Sequence, residues 1–150
     1  MNYEESVKKG LLRKEKIGFN QIGKVLDKAI RNIKSAKILL KDSDEEGSFQ
    51  LAYQAMLLAG RALVFSYGLR PRAVGSHKIV VDFAEKVLGK EYKILTYKFN
   101  KMRKKRHYLI YGIELTVSET EVKNAIQTAQ DFIEKIKEII QRKNPQKKLI

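Results

Sequence analysis

The chain has 150 residues, no cysteine, two histidines and a formal net charge of +14, from 31 Lys and Arg against 17 Asp and Glu. That length suits one domain, able to bury roughly 68–70% of its unfolded surface without covalent staples. The missing cysteines exclude disulfides, thiolate metal sites and thiol nucleophiles, and His77 and His107 are too few to build a zinc site, so no metal and no cofactor are expected.

The charge is either a field for polyanions, nucleic acid above all, or a lysine-rich solubilising surface; clustering decides between them. No apolar run approaches the roughly 20 residues that span a bilayer. The opening "MNYEESVKKGLLRKEK" lacks the apolar stretch of a secretory signal, so a cytoplasmic protein with no membrane contact is expected.

Helical periodicity runs through nearly the whole chain. A short charged helix from about Asn2 to Lys14 has Val7, Leu11 and Leu12 as its apolar edge, and Gly18 interrupts the chain after it. A second helix, from about Asn20 to Lys41, carries Ile22, Val25, Leu26, Ala29, Ile33, Ala36 and Leu40 at helical spacing. The turn-forming cluster "DSDEEGS" ends it.

The third helix, from about Ser48 to Tyr67, is apolar almost all round, which means burial on most sides or in a dimer interface. Ala52, Ala55, Ala59 and Gly60 admit a close neighbour, and Gly68 followed by Pro71 stops the helix. Ser76 is expected to cap a fourth helix from about His77 to Leu88, with Ile79, Val80, Phe83 and Val87 inward and Gly89 as its end. A fifth helix runs from about Glu91 to Tyr111.

Ser118 and Glu121 fit a capping box that opens a sixth helix, lined by Val122, Ala125, Ile126, Ala129, Phe132, Ile133, Ile136 and Ile140 and closed by Pro145. No segment alternates with period two. The expected fold is all-α: an antiparallel up-and-down bundle of five to six helices over residues 1–143, with 144–150 as a basic tail.

The fifth helix carries the unusual residues, in "NKMRKKRHYLIYG". Its apolar stripe is Leu95, Phe99, Met102, Leu109 and Ile113, and Arg106 fills the one gap. Arginine keeps its charge and is seldom buried unpaired. Arg106 therefore reaches water from the stripe's edge, meets an internal carboxylate, or faces an anion. Arg103, His107 and Tyr111 fall at helical spacing, a cation, an imidazole and a phenol able to hold a phosphate and move a proton, or else a solvated basic face. In "LRPRAVGSH", Arg70 and Arg72 precede a helix N-terminus, a place that suits phosphate, with His77 in the first turn as a capping, packing or phosphate-side residue.

The segments "KKGLLRK", "AYQAMLLAGRALVFSYGLRPRAVGSHKIVVDF" and "RKKRHYLIYG" with "VSETEVKNAIQTAQDFI" together resemble the HEPN domain, the nucleotide-binding family of higher eukaryotes and prokaryotes, from about Val7 to Glu138. The resemblance implies a helical bundle that forms a homodimer, and often a minimal nucleotidyltransferase as partner in a toxin–antitoxin-like pair. Active toxins of that family are metal-independent ribonucleases with an arginine, often an Asn or His after it, and a catalytic histidine about five positions further on. Carried over, the arginine is Arg106, the next residue His107, and the catalytic position falls on Tyr111. A phenol, with a reference pKa near 10, is poorly suited to a proton transfer that an imidazole near 6.5 performs.

Arg103 with His107 is a shifted version of the pair. The resemblance also makes Tyr111 or Tyr108 a candidate acceptor for adenylylation by the partner; both are otherwise packing residues with one wet end.

The first expectation is thus a nucleotide- or RNA-binding HEPN-like protein with weak or no nuclease activity, partner of a nucleotidyltransferase, holding phosphate with Arg103 and Arg106. The alternatives are an active metal-independent endoribonuclease using His107, and a non-catalytic structural adaptor that dimerises through its third helix.

Overall fold

A computed structural model describes residues 2–72, 76–112 and 116–144. Six α-helices dominate the described residues: α1 (Tyr3–Lys8), α2 (Phe19–Lys41), α3 (Glu45–Ser66), α4 (Ser76–Leu88), α5 (Lys93–Ile110) and α6 (Glu119–Lys143). The expected all-α helical bundle is the observed fold. α3 lies at its centre, packed most extensively on α2 and α6 and touching α4 and α5 on its other sides.

The helical stripes are where periodicity put them. On α6, Val122, Ala125, Ile126, Ala129, Phe132, Ile133, Ile136 and Ile140 are all buried. On α2 the buried line is Ile22, Leu26, Ala29, Ile33 and Ala36, while Val25 and Leu40 are half-buried at its edges. The capping box forms as read: Glu121 N–H donates to Ser118 Oγ at 3.1 Å, and Ser118 N–H donates to Glu121 Oε1 at 3.1 Å. Pro145 and Ile113, read as a helix end and a stripe member, lie outside the described residues.

Three boundaries differ from the expectation. The first helix stops at Lys8, and Leu12–Lys14 forms a strand, β1, that pairs antiparallel with β2 (Leu69–Pro71). Gly10, at φ 75°, turns the chain out of the helix. Three residues are too few to display a period of two, so a pairing that short has no sequence signature. Second, α3 begins at Glu45: Asp44, inside the cluster read as an ending, accepts from Gly47 N–H at 2.9 Å and opens the next helix. Third, Ser76 is the first residue of α4 rather than its cap, and a 3-10 turn (Lys90–Tyr92) precedes α5 after Gly89 at φ 75°.

The all-round apolarity of α3 is consumed inside one chain. Thirteen of its 22 residues are buried, among them Tyr53, Leu57, Leu63 and Val64. A dimer therefore does not need this helix, and the adaptor expectation loses the surface it relied on. Ser48 Oγ donates to the Ala36 carbonyl of α2 at 2.6 Å, which locks the register of the α2–α3 hairpin within the core.

Gly60 is where small size matters most: a Cβ there would run into Val80 Cγ1 of α4 and sit 3.5 Å from the Phe99 ring of α5. Gly60→Val should therefore destabilise the fold by about 1–3 kcal/mol through overpacking. The check is urea unfolding followed by circular dichroism; an unchanged midpoint would show that α4 and α5 can retreat at no cost.

Candidate nucleic-acid interface on α3, α4 and α5

α5 sorts its residues by angle. At 3.6 residues per turn, Arg106 points within roughly 20° of the buried Phe99, while His107 and Tyr111 point roughly 80° and 120° away from it. The exposures follow. Phe99, Met102 and Leu109 are buried, Arg103 and Arg106 are half-buried, and His107, Tyr108 and Tyr111 are exposed, Tyr111 at 66%. The row read from the sequence is thus split. Its imidazole and phenol stay together, with ring centroids of His107 and Tyr111 4.6 Å apart. Its arginines turn inward.

The arginines turn toward a polar pair that the sequence reading passed over. Tyr53 of α3 is fully buried, at 0% exposure, and its Oη lies 2.9 Å from Nδ1 of His77 in the first turn of α4. The two rings stack at 5.8 Å between centroids. Burial raises the Tyr53 phenol to about 12, against the opposing pull of Arg106, Arg103 and Arg61. Burial also lowers His77, helped by the positive charges of Arg106, Arg61 and Arg103. A phenol that keeps its proton can donate to Nδ1 of an imidazole held neutral, and in that tautomer the ring proton of His77 sits on Nε2.

Three guanidinium groups therefore act on one Tyr–His pair, its phenol buried and its imidazole half-buried. Arg103 Nε donates to Asn100 Oδ1 at 3.0 Å, which fixes its side chain without neutralising it. Arg106 has no carboxylate partner among the described residues, whereas its neighbour Lys105 is paired with Glu121 at 3.0 Å. Of the three fates open to Arg106, the internal carboxylate is missing among the described residues, and its half-buried position fits both reaching water from the stripe's edge and facing an anion. Arg61, half-buried on α3, is shifted down by its own burial and likewise has no carboxylate partner among the described residues.

Arg70 and Arg72 share a surface with Arg61. They line a separate cleft of about 710 Å³ with Arg61, Arg13 and Ser76. Arg13 and Arg70 face each other in the β1–β2 register, a like-charge pairing that would be unfavourable alone. Glu15 resolves it by accepting from Arg13 Nη2 and Arg70 Nη1, each at 2.8 Å, and these bonds, that to Arg70 foremost, hold its carboxyl below the usual range.

The structure thus brings Arg103, Arg106 and His77 together, leaves His107, Tyr108 and Tyr111 on the exposed flank, and places Arg70 and Arg72 in the neighbouring cleft. Tyr53 and Arg61 are the additions. Arg61 could have been found by the logic applied to Arg106, since it is the one cation in the apolar run of α3. Tyr53 could have been flagged as a phenol in a helix apolar all round, which requires a partner; its partner lies 24 residues on, and no local signal names it. Among the described residues no group of three or more His, Asp or Glu side chains is placed to hold a metal ion.

Compared with known families, the chain matches the model of the HEPN domain over residues 22–139, from the first turn of α2 to the last turns of α6. No curated protein matches it.

The lowered His77 makes a pH prediction. Its folded-state pKa lies below the ordinary 6.5, so the unfolded chain takes up the proton first. Stability should be full above about pH 6.5 and decline as the pH falls below it, levelling once the folded imidazole also protonates. Urea midpoints between about pH 7.5 and 5 should show this decline, and His77→Gln should flatten it. An identical pH slope in both proteins would mean that His77 titrates alike folded and unfolded.

Proposed function

This chain belongs to the HEPN domain family, and we propose that it binds the phosphate of RNA or a nucleotide at the cluster of Arg103, Arg106, His77 and Tyr53. The observation that carries the proposal is Arg106: a half-buried guanidinium on the line of a hydrophobic stripe, with no carboxylate among the described residues to neutralise it. A phosphate supplies what that position lacks. Arg103 and Arg106 would donate charge-assisted hydrogen bonds to its oxygens, and a neutral His77, backed by Tyr53, would offer its Nε2 proton as a third donor. Gathering several cations against a low-dielectric wall strengthens each of these contacts.

In this reading the protein has weak or no nuclease activity of its own. Tyr111 stands where the family's active toxins carry their imidazole. His107 is near Tyr111 but on the exposed flank, away from the inward arginines. The exposed phenols of Tyr108 and Tyr111 support a further part of the proposal, that a nucleotidyltransferase partner modifies one of them in a toxin–antitoxin-like pair. A homodimer would use the outer face of α5, where Ile94, Tyr97 and Tyr108 are exposed, rather than the buried α3.

The test is fluorescence anisotropy with a labelled single-stranded oligoribonucleotide across a salt series. Arg106→Gln should weaken binding about tenfold and lower the slope of log K against log salt by about one phosphate contact, while the exposed Lys34→Gln changes little. Equal, small effects of both variants would reduce the interaction to diffuse charge. Incubation of the same RNA with EDTA should leave it intact; cleavage that persists with chelator and disappears in His107→Ala would assign the protein to the metal-independent ribonucleases instead.

A further inference from the structure

The cleft beyond Arg61 has a composition that phosphate contacts along a nucleic acid do not require. Four arginines line it: Arg13, Arg61, Arg70 and Arg72. Glu15 is the carboxylate that meets them, and it is shared between Arg13 and Arg70. Those two side chains are thereby held in place, and Arg61 and Arg72 have no carboxylate among the described residues. One negative charge against four positive ones leaves the cleft strongly cationic in the absence of a ligand.

The walls are apolar. Val25 belongs to the inward stripe of α2, and Phe65 to the last turn of the otherwise buried α3, yet both are only half-buried and both line this cleft. Their exposed faces are core surface left open, which in a concave site is the part of a pocket that takes the body of a small molecule. An aromatic side chain next to arginines favours a flat, polarisable group stacked on it. At about 710 Å³ the space is within the range of small-ligand clefts.

We propose that this cleft is a second binding site, for a small phosphate or pyrophosphate ester with a planar apolar body: the phosphate between Arg72 and Arg61, the planar group against Phe65 and Val25. Arg13 and Arg70, pinned by Glu15, set the positive rim. The site is distinct from the cluster of Arg103, Arg106, His77 and Tyr53, none of which lines it, and it stands whether or not that cluster binds RNA.

The experiment uses the full chain and flavin mononucleotide as a fluorescent probe, with riboflavin and inorganic phosphate as the two half-ligands, at physiological salt. The expected result is saturable one-to-one binding of flavin mononucleotide, at least tenfold tighter than either half, because charged hydrogen bonds and stacking contribute separately. Arg72→Gln, an exposed position that leaves the core intact, should weaken it about tenfold, as expected for one charge-assisted contact. Phe65→Leu, which keeps an apolar wall, should weaken flavin mononucleotide but not phosphate.

Riboflavin binding as tightly as its phosphate ester, or an unaffected Arg72→Gln, would overturn the proposal. So would loss of probe binding in the remote Lys34→Gln, which would mean diffuse charge. Failure of the probe together with weakened oligoribonucleotide binding in Arg72→Gln would make the cleft a track for RNA, and that too overturns it. The two readings fail separately: Arg106→Gln reports on the cluster through the oligoribonucleotide, and Arg72→Gln on the cleft through the flavin.

Discussion

The central position of α3, with thirteen of its 22 residues buried, is the constraint from which the rest of this molecule follows. α2 and α6 cover it most extensively, and Gly60 lets α4 close in from another direction until Val80 occupies the space a side chain would take. A helix so enclosed tolerates polar atoms only where something answers them. Tyr53 and Arg61 are the two that matter. The first is answered by His77, brought in by α4, and the second opens toward a cleft. The polar site is therefore a product of the same packing that makes the core, and α4 cannot be moved without uncoupling both.

Electrostatics divides the cations into two populations. Several lysines, Lys9 with Glu5 and Lys123 with Glu119 among them, form exposed helical pairs at four-residue spacing. Such pairs contribute little to stability and are easily screened. Arg61, Arg72, Arg103 and Arg106 are different: none meets a carboxylate among the described residues, and three of them are half-buried. Like charges collected on a partly desolvated surface oppose folding. A fold that keeps them accepts a local electrostatic cost.

Much of the architecture was legible before any coordinates. Periodicity located the long helices, and Ser118 with Glu121 marked a start to the residue, because stripes and caps are local patterns. The β1–β2 pair was not legible, since Leu12–Lys14 and Leu69–Pro71 are far apart in sequence and each is too short to show a period. The cluster at Asp42–Ser48 was read as an ending when it also begins the next helix, an ambiguity built into residues that cap both ways.

The chain by itself determined which residues are anomalous for their surroundings. An arginine on an apolar line is visible in one dimension because helical spacing is regular, and that alone singled out Arg106. Which anomalies meet was decided by tertiary structure. Arg103 and His107 are four residues apart yet face different environments, whereas Tyr53 and His77 are 24 apart and hydrogen-bonded. The reason is geometric: a helix carries its neighbours around its axis at a fixed angle, which sequence records, but the partner across an interface is chosen by how helices cross, and only the packed core specifies that.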